Sequence, residues 1–283
     1  MSKKEPIFKD NRLNRQLEED GFVKLPFIAD TAALLKLQQC YSGYKEAHEK
    51  TQRGFHHTTH LTQDWTLVSA VNESLQTLLN PFIFDILQNV GVLGANFIVK
   101  GMGSDTTFQP HQDWTLVDEE QYFSVNMWVA LEDINIENGA LRFLKGSHHI
   151  IRNLRMAPNF PPLFEKVESL TEEHLTSVCL KAGEAVVFDC GVLHGSFANL
   201  SNCRRVSAII GLYSKNAPFK FYYNTEVGTP PMVEEYNILP EEFLTFAVGD
   251  RPKGREPDKV FPYAFPQIST DDFNRYLSEY GHH

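Results

Sequence analysis

The spacing of apolar residues changes near residue 95 of this 283-residue chain. Before that point, residues 31–50 and 72–89 carry leucines and aromatic residues three or four positions apart, which is the period of an amphipathic helix. Asp30 precedes the first of these helices as a cap, and Pro81 is expected to kink or break the second. The pattern therefore predicts a mainly helical portion over residues 1–94.

From residue 95 onward, short runs rich in Val, Ile, Phe and Tyr are separated by turn residues, which is typical of β-strands. The predicted strands are residues 95–102, 106–113, 121–131, 140–145, 185–190 and 204–213. Only residues 164–174 interrupt them with a helical pattern, so the strands are expected to form an antiparallel sandwich or barrel rather than a parallel sheet.

The last part of the chain, residues 223–283, is predicted to contain loops and helices, ending with a helix over Thr270–Tyr280. No internal repeat or linker divides the sequence. We therefore predict one domain over residues 1–283, mainly β with flanking helices, in which residues 95–222 form the β core.

A polar segment, residues 51–63, joins the two N-terminal helices and contains His56, His57 and His60. The segment is longer than most helix–helix connections, which span about 2–8 residues. Long connections of this kind often serve as lids over a binding site, or are flexible linkers. We therefore expect this segment to be a mobile lid or a wall of the substrate pocket.

Charge and composition narrow the functional class. The net charge of −10 argues against a nucleic-acid-binding surface, because such surfaces need clustered positive charge. The sequence contains no stretch of 18 apolar residues that could span a membrane. Its N-terminus is charged, which argues against a secretory signal, and its four cysteines form no C-x-x-C pair, which argues against a disulfide scaffold or a zinc site. We expect a cytoplasmic protein with a small-molecule substrate. We assign no function to His282 and His283, which are either native or the remnant of an affinity tag.

Candidate metal ligands lie at one end of the predicted β core. His111 and Asp113 are two residues apart, so on an extended strand both side chains point to the same face and can reach one ion. His194 lies after the predicted strand at residues 185–190 and supplies a third ligand. Two histidines and one carboxylate form the facial triad of non-haem Fe(II) oxygenases, which leaves coordination positions open for reactants.

A candidate anion site lies on the next predicted strand. Arg205 and Ser207 share one face of that strand, whereas Arg204 points the other way. An arginine with a hydroxyl group beside it binds a carboxylate through charge-assisted hydrogen bonds. The sequence therefore predicts a carboxylate-binding position next to the metal site, with Arg205 as the better candidate of the two arginines.

Together these motifs resemble the phytanoyl-CoA dioxygenase family. The resemblance is carried by H-Q-D-W at 111–114, E-N-G-A-L at 137–141, K-G-S-H at 145–148, and His194 followed by Arg205. It covers approximately residues 95–213. Members of this family are Fe(II)- and 2-oxoglutarate-dependent oxygenases built on a double-stranded β-helix, a jelly-roll core like that of the cupins.

The resemblance implies roles for individual residues. The implied iron ligands are His111, Asp113 and His194. The implied cosubstrate site has Arg205 on the distal carboxylate of 2-oxoglutarate, with Phe108 and Ser196 beside it. Two polar residues near the predicted cavity, Gln109 and Asn126, are expected to contact the cosubstrate or the substrate.

The resemblance also implies a type of reaction. Related halogenases have Gly or Ala in place of the carboxylate ligand, so Asp113 favours hydroxylation over halogenation. We expect Fe(II), 2-oxoglutarate and O2 to be used, with release of succinate and CO2. The expected substrate is an amino-acid-derived, natural-product or acyl compound. Two alternatives stay open: a non-catalytic β-barrel that binds a metal or ligand, and a cupin-type metalloenzyme that does not use 2-oxoglutarate.

Overall fold

A computed structural model gives the structure of most of the chain. The described residues are 4–26, 29–51, 56–62, 64–150, 152–156, 159–164, 167, 172–243, 245–246 and 249–280. In this part of the chain, no helix is long and apolar enough to cross a membrane.

Three α-helices precede most of the β-strands: α1 (Asn11–Asp20), α2 (Thr31–Thr51) and α3 (Trp65–Ile86). The second of them matches its predicted range. Helix α1 was not predicted, because its residues are mostly polar and Leu17 is the one it buries fully. Its ends are nevertheless well defined. Asp10 accepts a hydrogen bond from the Arg12 N–H, and Gly21 terminates the helix in the left-handed conformation at φ 82°.

Helix α3 begins and ends earlier than predicted. Asp64 caps its N-terminus by accepting a hydrogen bond from the Leu67 N–H at 3.1 Å. The helix continues through Pro81, which neither ends nor interrupts it. Buried Leu79 and Ile83 lie on either side of the proline, so tertiary packing outweighs the lost hydrogen bond.

The strands form three antiparallel sheets. In chain order they are β1 (Phe22–Leu25), β2 (His56–Thr58), β3 (Val90–Lys100), β4 (Phe108–His111), β5 (Ser124–Ala130), β6 (Leu141–Phe143), β7 (Thr176–Val178), β8 (Ala185–Asp189), β9 (His194–Ser196), β10 (Arg205–Ser214), β11 (Lys220–Asn224), β12 (Met232–Asn237) and β13 (Lys259–Pro262). The six-stranded sheet, termed the larger sheet, has the order β1-β8-β5-β10-β3-β2. The four-stranded sheet, termed the smaller sheet, has the order β4-β9-β6-β7. All six predicted strands are present.

Side-chain alternation gives the larger sheet two apolar faces. One face packs beneath α2 and α3, where Phe97 and Ala208 join a core with Leu79. The opposite face packs on the smaller sheet, where Trp128 shares a second core with Phe143. Two antiparallel sheets that face each other with flanking helices confirm the predicted jelly-roll architecture.

The β structure extends beyond the predicted limits of 95 and 222. Strands β11, β12 and β13 form a third sheet, two of whose strands lie where loops and helices were predicted. Strand β12 did not show an apolar pattern, because Glu234 and Glu235 interrupt it. Both glutamates are buried and form salt bridges, Glu234 with Arg251 at 2.6 Å and Glu235 with Lys220 at 2.7 Å. Helices α4 (Pro240–Phe243) and α5 (Thr270–Tyr280) follow, as predicted.

Two predicted features fall partly outside the described residues. In the segment 51–63, residues 52–55 and 63 are not described. The backbone of His56–Thr58 pairs with β3 at the edge of the larger sheet, so part of this segment is strand rather than irregular loop. Its mobility stays a prediction. Within the predicted helix at 164–174, the structure describes only a short 3-10 helix over Glu172–His174.

Candidate active site

The pairing of β4 with β9 brings the two candidate histidine ligands together. His111 lies opposite His194 in this pair, and Phe108 lies opposite Ser196. Asp113 lies just beyond the end of β4, where its backbone N–H donates to the carbonyl oxygen of Cys190 at 2.8 Å. The position of the Asp113 carboxylate therefore depends on this loop contact. The prediction was based instead on the alternation of side chains along a strand.

The three side chains converge on one point. Their ligand atoms lie within 4.8 Å of one another. Nε2 of His111 lies 3.7 Å from Oδ1 of Asp113, and Nε2 of His194 lies 3.7 Å from Oδ2 of the same carboxylate. Two imidazole nitrogens and a carboxylate in this arrangement suit a divalent transition metal with open coordination positions.

Hydrogen bonds fix the tautomer of both histidines. Nδ1 of His111 lies 3.0 Å from the Gln109 carbonyl oxygen, and Nδ1 of His194 lies 3.0 Å from that of Val192. Each Nδ1 therefore carries the proton and donates, which leaves each Nε2 lone pair directed at the metal position. Burial, reinforced by the charge of nearby His194, lowers the pKa of His111 to about 4, so its imidazole is neutral and able to ligate at pH 7.

Asp113 is held by groups that were not predicted to act on it. The amide Nδ2 of Asn126 donates to its Oδ2 at 2.7 Å. The Arg155 Nε donates to its backbone carbonyl at 2.7 Å, and the same guanidinium forms a buried ion pair with Glu119. Asn126 was predicted as a cosubstrate or substrate contact, and the structure shows that it also orients a candidate ligand. No sequence pattern pointed to Arg155 in this role.

Arg205 lines the same cavity as the candidate ligands. Its side chain is buried, one guanidinium nitrogen donates to the Gly139 carbonyl, and the guanidinium lies over the ring of Trp128 at 5.0 Å. Burial lowers its pKa to about 10, an effect that Glu132 partly opposes. The Nε atom has no hydrogen-bond partner in the described structure. A buried cationic donor without a partner fits a carboxylate, because such groups are rarely left unpaired.

The other predicted residues take different positions. Phe108 and Ser196 line the cavity, and the Phe108 ring meets the His111 ring at 4.5 Å. Ser207 is buried, and its hydroxyl donates to the Ile98 carbonyl at 3.2 Å. Gln109 has an exposed side chain, and only its carbonyl contacts the site. The structure thus places neither the Ser207 hydroxyl nor the Gln109 amide in the cavity lining.

The cavity that holds these groups has a volume of about 500 Å³. This lies within the range of small-molecule sites, roughly 300–1,000 Å³. The part of the cavity lined by the candidate ligands, Arg205 and Trp128 is termed its inner end. Trp128 is buried in the core between the sheets, and it also forms part of the cavity wall beneath the Arg205 guanidinium.

Comparisons with known proteins agree with the predicted resemblance. The family model of phytanoyl-CoA dioxygenase (PhyH) matches residues 18–207. A phytanoyl-CoA dioxygenase of Arabidopsis thaliana is 29% identical over 40% of this chain and 41% of its own length. The phytanoyl-CoA dioxygenase domain-containing protein 1 of Danio rerio is 34% identical over 42% of this chain and 43% of its own length. The chain thus spans about two fifths of the length of these relatives.

Solved structures show the same fold at low identity. The epimerase SnoN, in complex with Fe3+, alpha ketoglutarate and nogalamycin RO, has a TM-score of 0.55 and 18% identity, covering 90% of this chain and 93% of its own. EvdO2 from Micromonospora carbonacea, complexed with 2-oxoglutarate, has a TM-score of 0.52 and 17% identity, covering 76% and 94%. Because the family model matches well over half of the sequence, this chain belongs to the phytanoyl-CoA dioxygenase family.

Proposed function

We propose that this protein is an Fe(II)- and 2-oxoglutarate-dependent oxygenase that hydroxylates a small molecule. The observation that carries the proposal is the presence of His111, Asp113, His194 and a buried arginine, Arg205, in one cavity. The triad fits Fe(II), and the arginine fits the distal carboxylate of a keto acid. Family membership supports the same assignment.

The chemistry belongs to the metal and its cosubstrate. Bound Fe(II) would supply O2 activation, with 2-oxoglutarate oxidised to succinate and CO2 while one oxygen atom is inserted into a substrate C–H bond. His111 and His194 would hold the metal through Nε2, and Asp113 would supply the anionic ligand. The protein contributes this ligand geometry and a cavity lined largely by apolar side chains.

Side chains around the triad would orient the reactants and exclude water. The Phe188 ring lies 4.6 Å from the His194 ring, and Phe143 lies 5.8 Å from it, so His194 is enclosed by apolar groups. Arg205 would hold one end of 2-oxoglutarate by charge-assisted hydrogen bonds. This anchoring would direct the other end of the molecule toward the triad.

The structures with a similar fold give a second candidate reaction. SnoN, whose complex contains alpha ketoglutarate, is described as an epimerase, so this fold supports a reaction other than hydroxylation with the same cosubstrate. We favour hydroxylation over epimerisation because family relatives are named dioxygenases. Halogenation is disfavoured because the Asp113 carboxylate occupies the position that a halide would need.

The test combines two measurements on the purified full chain. The first is succinate formation from 2-oxoglutarate in air, with Fe(II) and with a chelator in its place. We expect succinate only with Fe(II), and its absence under all conditions would favour a non-catalytic protein or a metalloenzyme without this cosubstrate. The second is mass spectrometry of a metabolite panel. A gain of one oxygen supports hydroxylation, whereas a product of unchanged mass would support epimerisation.

A further inference from the structure

A second part of the cavity, termed its outer part, is lined by four aromatic rings and a leucine. These residues are Trp114, Leu116, Tyr213, Phe219 and Phe243. Their rings pack edge to face: Trp114 meets Phe243 at 5.6 Å, and Phe219 meets Tyr213 at 5.4 Å. These rings come from separate parts of the chain, so their contacts hold the wall in one shape.

Formal charge within the described lining is confined to the inner end. Apart from the triad and Arg205, the only ionisable lining residues that the structure describes are Cys190 and Tyr213. Burial raises the pKa of both, and nearby Glu241 raises that of Tyr213 further, so both are neutral at pH 7. A phosphate or carboxylate placed in the outer part would lose its hydration without gaining a cationic partner.

A glycine lies where the outer part meets the inner end. In the larger sheet, Gly211 of β10 pairs with Gly94 of β3 on one side and with Asn126 of β5 on the other. The register with β3 shifts after Gly211, and the extra residue, Leu93, belongs to β3. Gly211 has no left-handed φ, so neither its own conformation nor the bulge requires a glycine.

Gly211 and two side chains beside it line the cavity. A Cβ atom at position 211 would lie 3.3 Å from the Leu93 side chain and 3.5 Å from Oδ1 of Asn126, so little free space remains between these groups. Asn126 in turn donates to Asp113. A larger side chain at 211 would therefore displace Leu93 or Asn126 or project into the cavity. Glycine within a strand often marks a place where a ligand approaches the backbone closely.

We infer that the outer part of the cavity binds an uncharged, apolar ring compound, and that Gly211 determines specificity because a larger side chain at this position would take up cavity volume beside the aromatic wall. The inference rests on the proposed function, because it identifies this compound as the molecule to be oxidised. It excludes substrates that carry a phosphate or carboxylate at the end that enters the cavity. Apolar contact with the aromatic wall supplies the binding free energy.

The test uses two probes with the same ring system, neutral 2-naphthol and dianionic 2-naphthyl phosphate. Each is titrated calorimetrically into the full chain, once without additions and once with Ni(II) and saturating 2-oxoglutarate, which block turnover and fill the inner end. In both states we expect 2-naphthol to bind at least tenfold more tightly than the phosphate. The titration without additions uses Arg205→Ala, because the Arg205 guanidinium would otherwise pair with the phosphate. Because the titration without additions needs no cosubstrate, it remains decisive if 2-oxoglutarate does not bind and the proposed function fails.

Substitutions on one strand test the role of Gly211. Gly211→Ala and Gly211→Val should weaken 2-naphthol binding progressively, by at least tenfold for Val. Val206→Ile adds one methylene to the opposite face of β10 and should leave the affinity within twofold. Thermal unfolding establishes that each variant is folded, and the smaller Ala variant remains informative if Val is not tolerated. Absent or equal binding of the two probes, or the same affinity in Gly211→Val as in the wild type, would overturn the inference.

Discussion

The inner and outer ends of the cavity are built by different physical means. At the inner end each candidate ligand is fixed by a further hydrogen bond, as when Asn126 donates to Asp113 and the Val192 carbonyl accepts from His194. At the outer end, rings such as Phe219 and Phe243 are held by edge-to-face packing at 5.8 Å. The inner end is charged, and the described lining of the outer end is neutral.

This difference separates chemistry from selectivity. Metal binding requires specific atoms at specific distances, so few residue types can build the inner end. Apolar packing tolerates many residue types of suitable volume, so the outer end can vary without loss of the fold. Substitutions at the inner end should therefore affect every substrate, whereas those at the outer end should change which substrate binds.

The largest effect is expected from Asp113→Ala, which removes the only anionic candidate ligand. Fe(II)-dependent succinate formation should fall below detection, and the affinity for Ni(II), measured by calorimetry, should fall with it. Asp85→Ala removes an exposed carboxylate from α3 and serves as the matched control. Turnover by Asp113→Ala at the wild-type rate would contradict the assignment of the triad.

A smaller effect is expected when the two adjacent arginines are compared. Arg205→Ala should raise the 2-oxoglutarate concentration needed for half-maximal turnover by tens to thousands of fold, on the order of 2–5 kcal/mol. Arg204 is partly exposed and precedes β10, so Arg204→Ala should change that concentration severalfold at most. Ni(II) affinity should stay similar in both variants. Equal losses in the two would contradict the assignment of Arg205 to the anion.

The sequence predicted the inner end better than the outer end for a physical reason. His111, Asp113, His194 and Arg205 have chemistries that stand out in one dimension, and strand periodicity was enough to orient Arg205. Asn126 was predicted near the site, but its bond to Asp113 depends on pairing between distant segments. Phe219 and Phe243 of the outer wall were not predicted, since they look like any core residue until the third sheet places them.

The same reasoning explains where the predicted fold differs from the structure. Strands with clear alternation, such as β5 and β10, were found, whereas β12 was missed because buried Glu234 and Glu235 disguise it. The polar surface of α1 hid that helix in a similar way. The Ser207 hydroxyl was expected in the cavity because it shares a face with Arg205, yet it donates to a neighbouring strand carbonyl. Periodicity gives the face of a residue but not its partner.

A third prediction concerns the support of the inner end. Asn126→Ala removes the hydrogen bond to Oδ2 of Asp113, and loss of such supporting bonds typically lowers metal affinity or activity about 10–100-fold. We expect Ni(II) affinity and Fe(II)-dependent turnover to fall together in this range, with the thermal midpoint nearly unchanged. Asn202→Ala, in an exposed loop, is the control. A changed thermal midpoint with unchanged metal affinity would assign Asn126 to the fold rather than to Asp113.

The smallest effect is expected from pH at the outer end. A tyrosine with a raised pKa keeps its proton to higher pH. Tyr213, the only ionisable residue of the described aromatic wall, has such a raised pKa and therefore remains neutral between pH 5.5 and 8. The affinity for 2-naphthol should therefore change less than threefold across that interval, as measured by calorimetry. A tenfold change would mean that an ionising group contacts the ring, and the outer end would then not be the neutral surface that distinguishes it from the inner end.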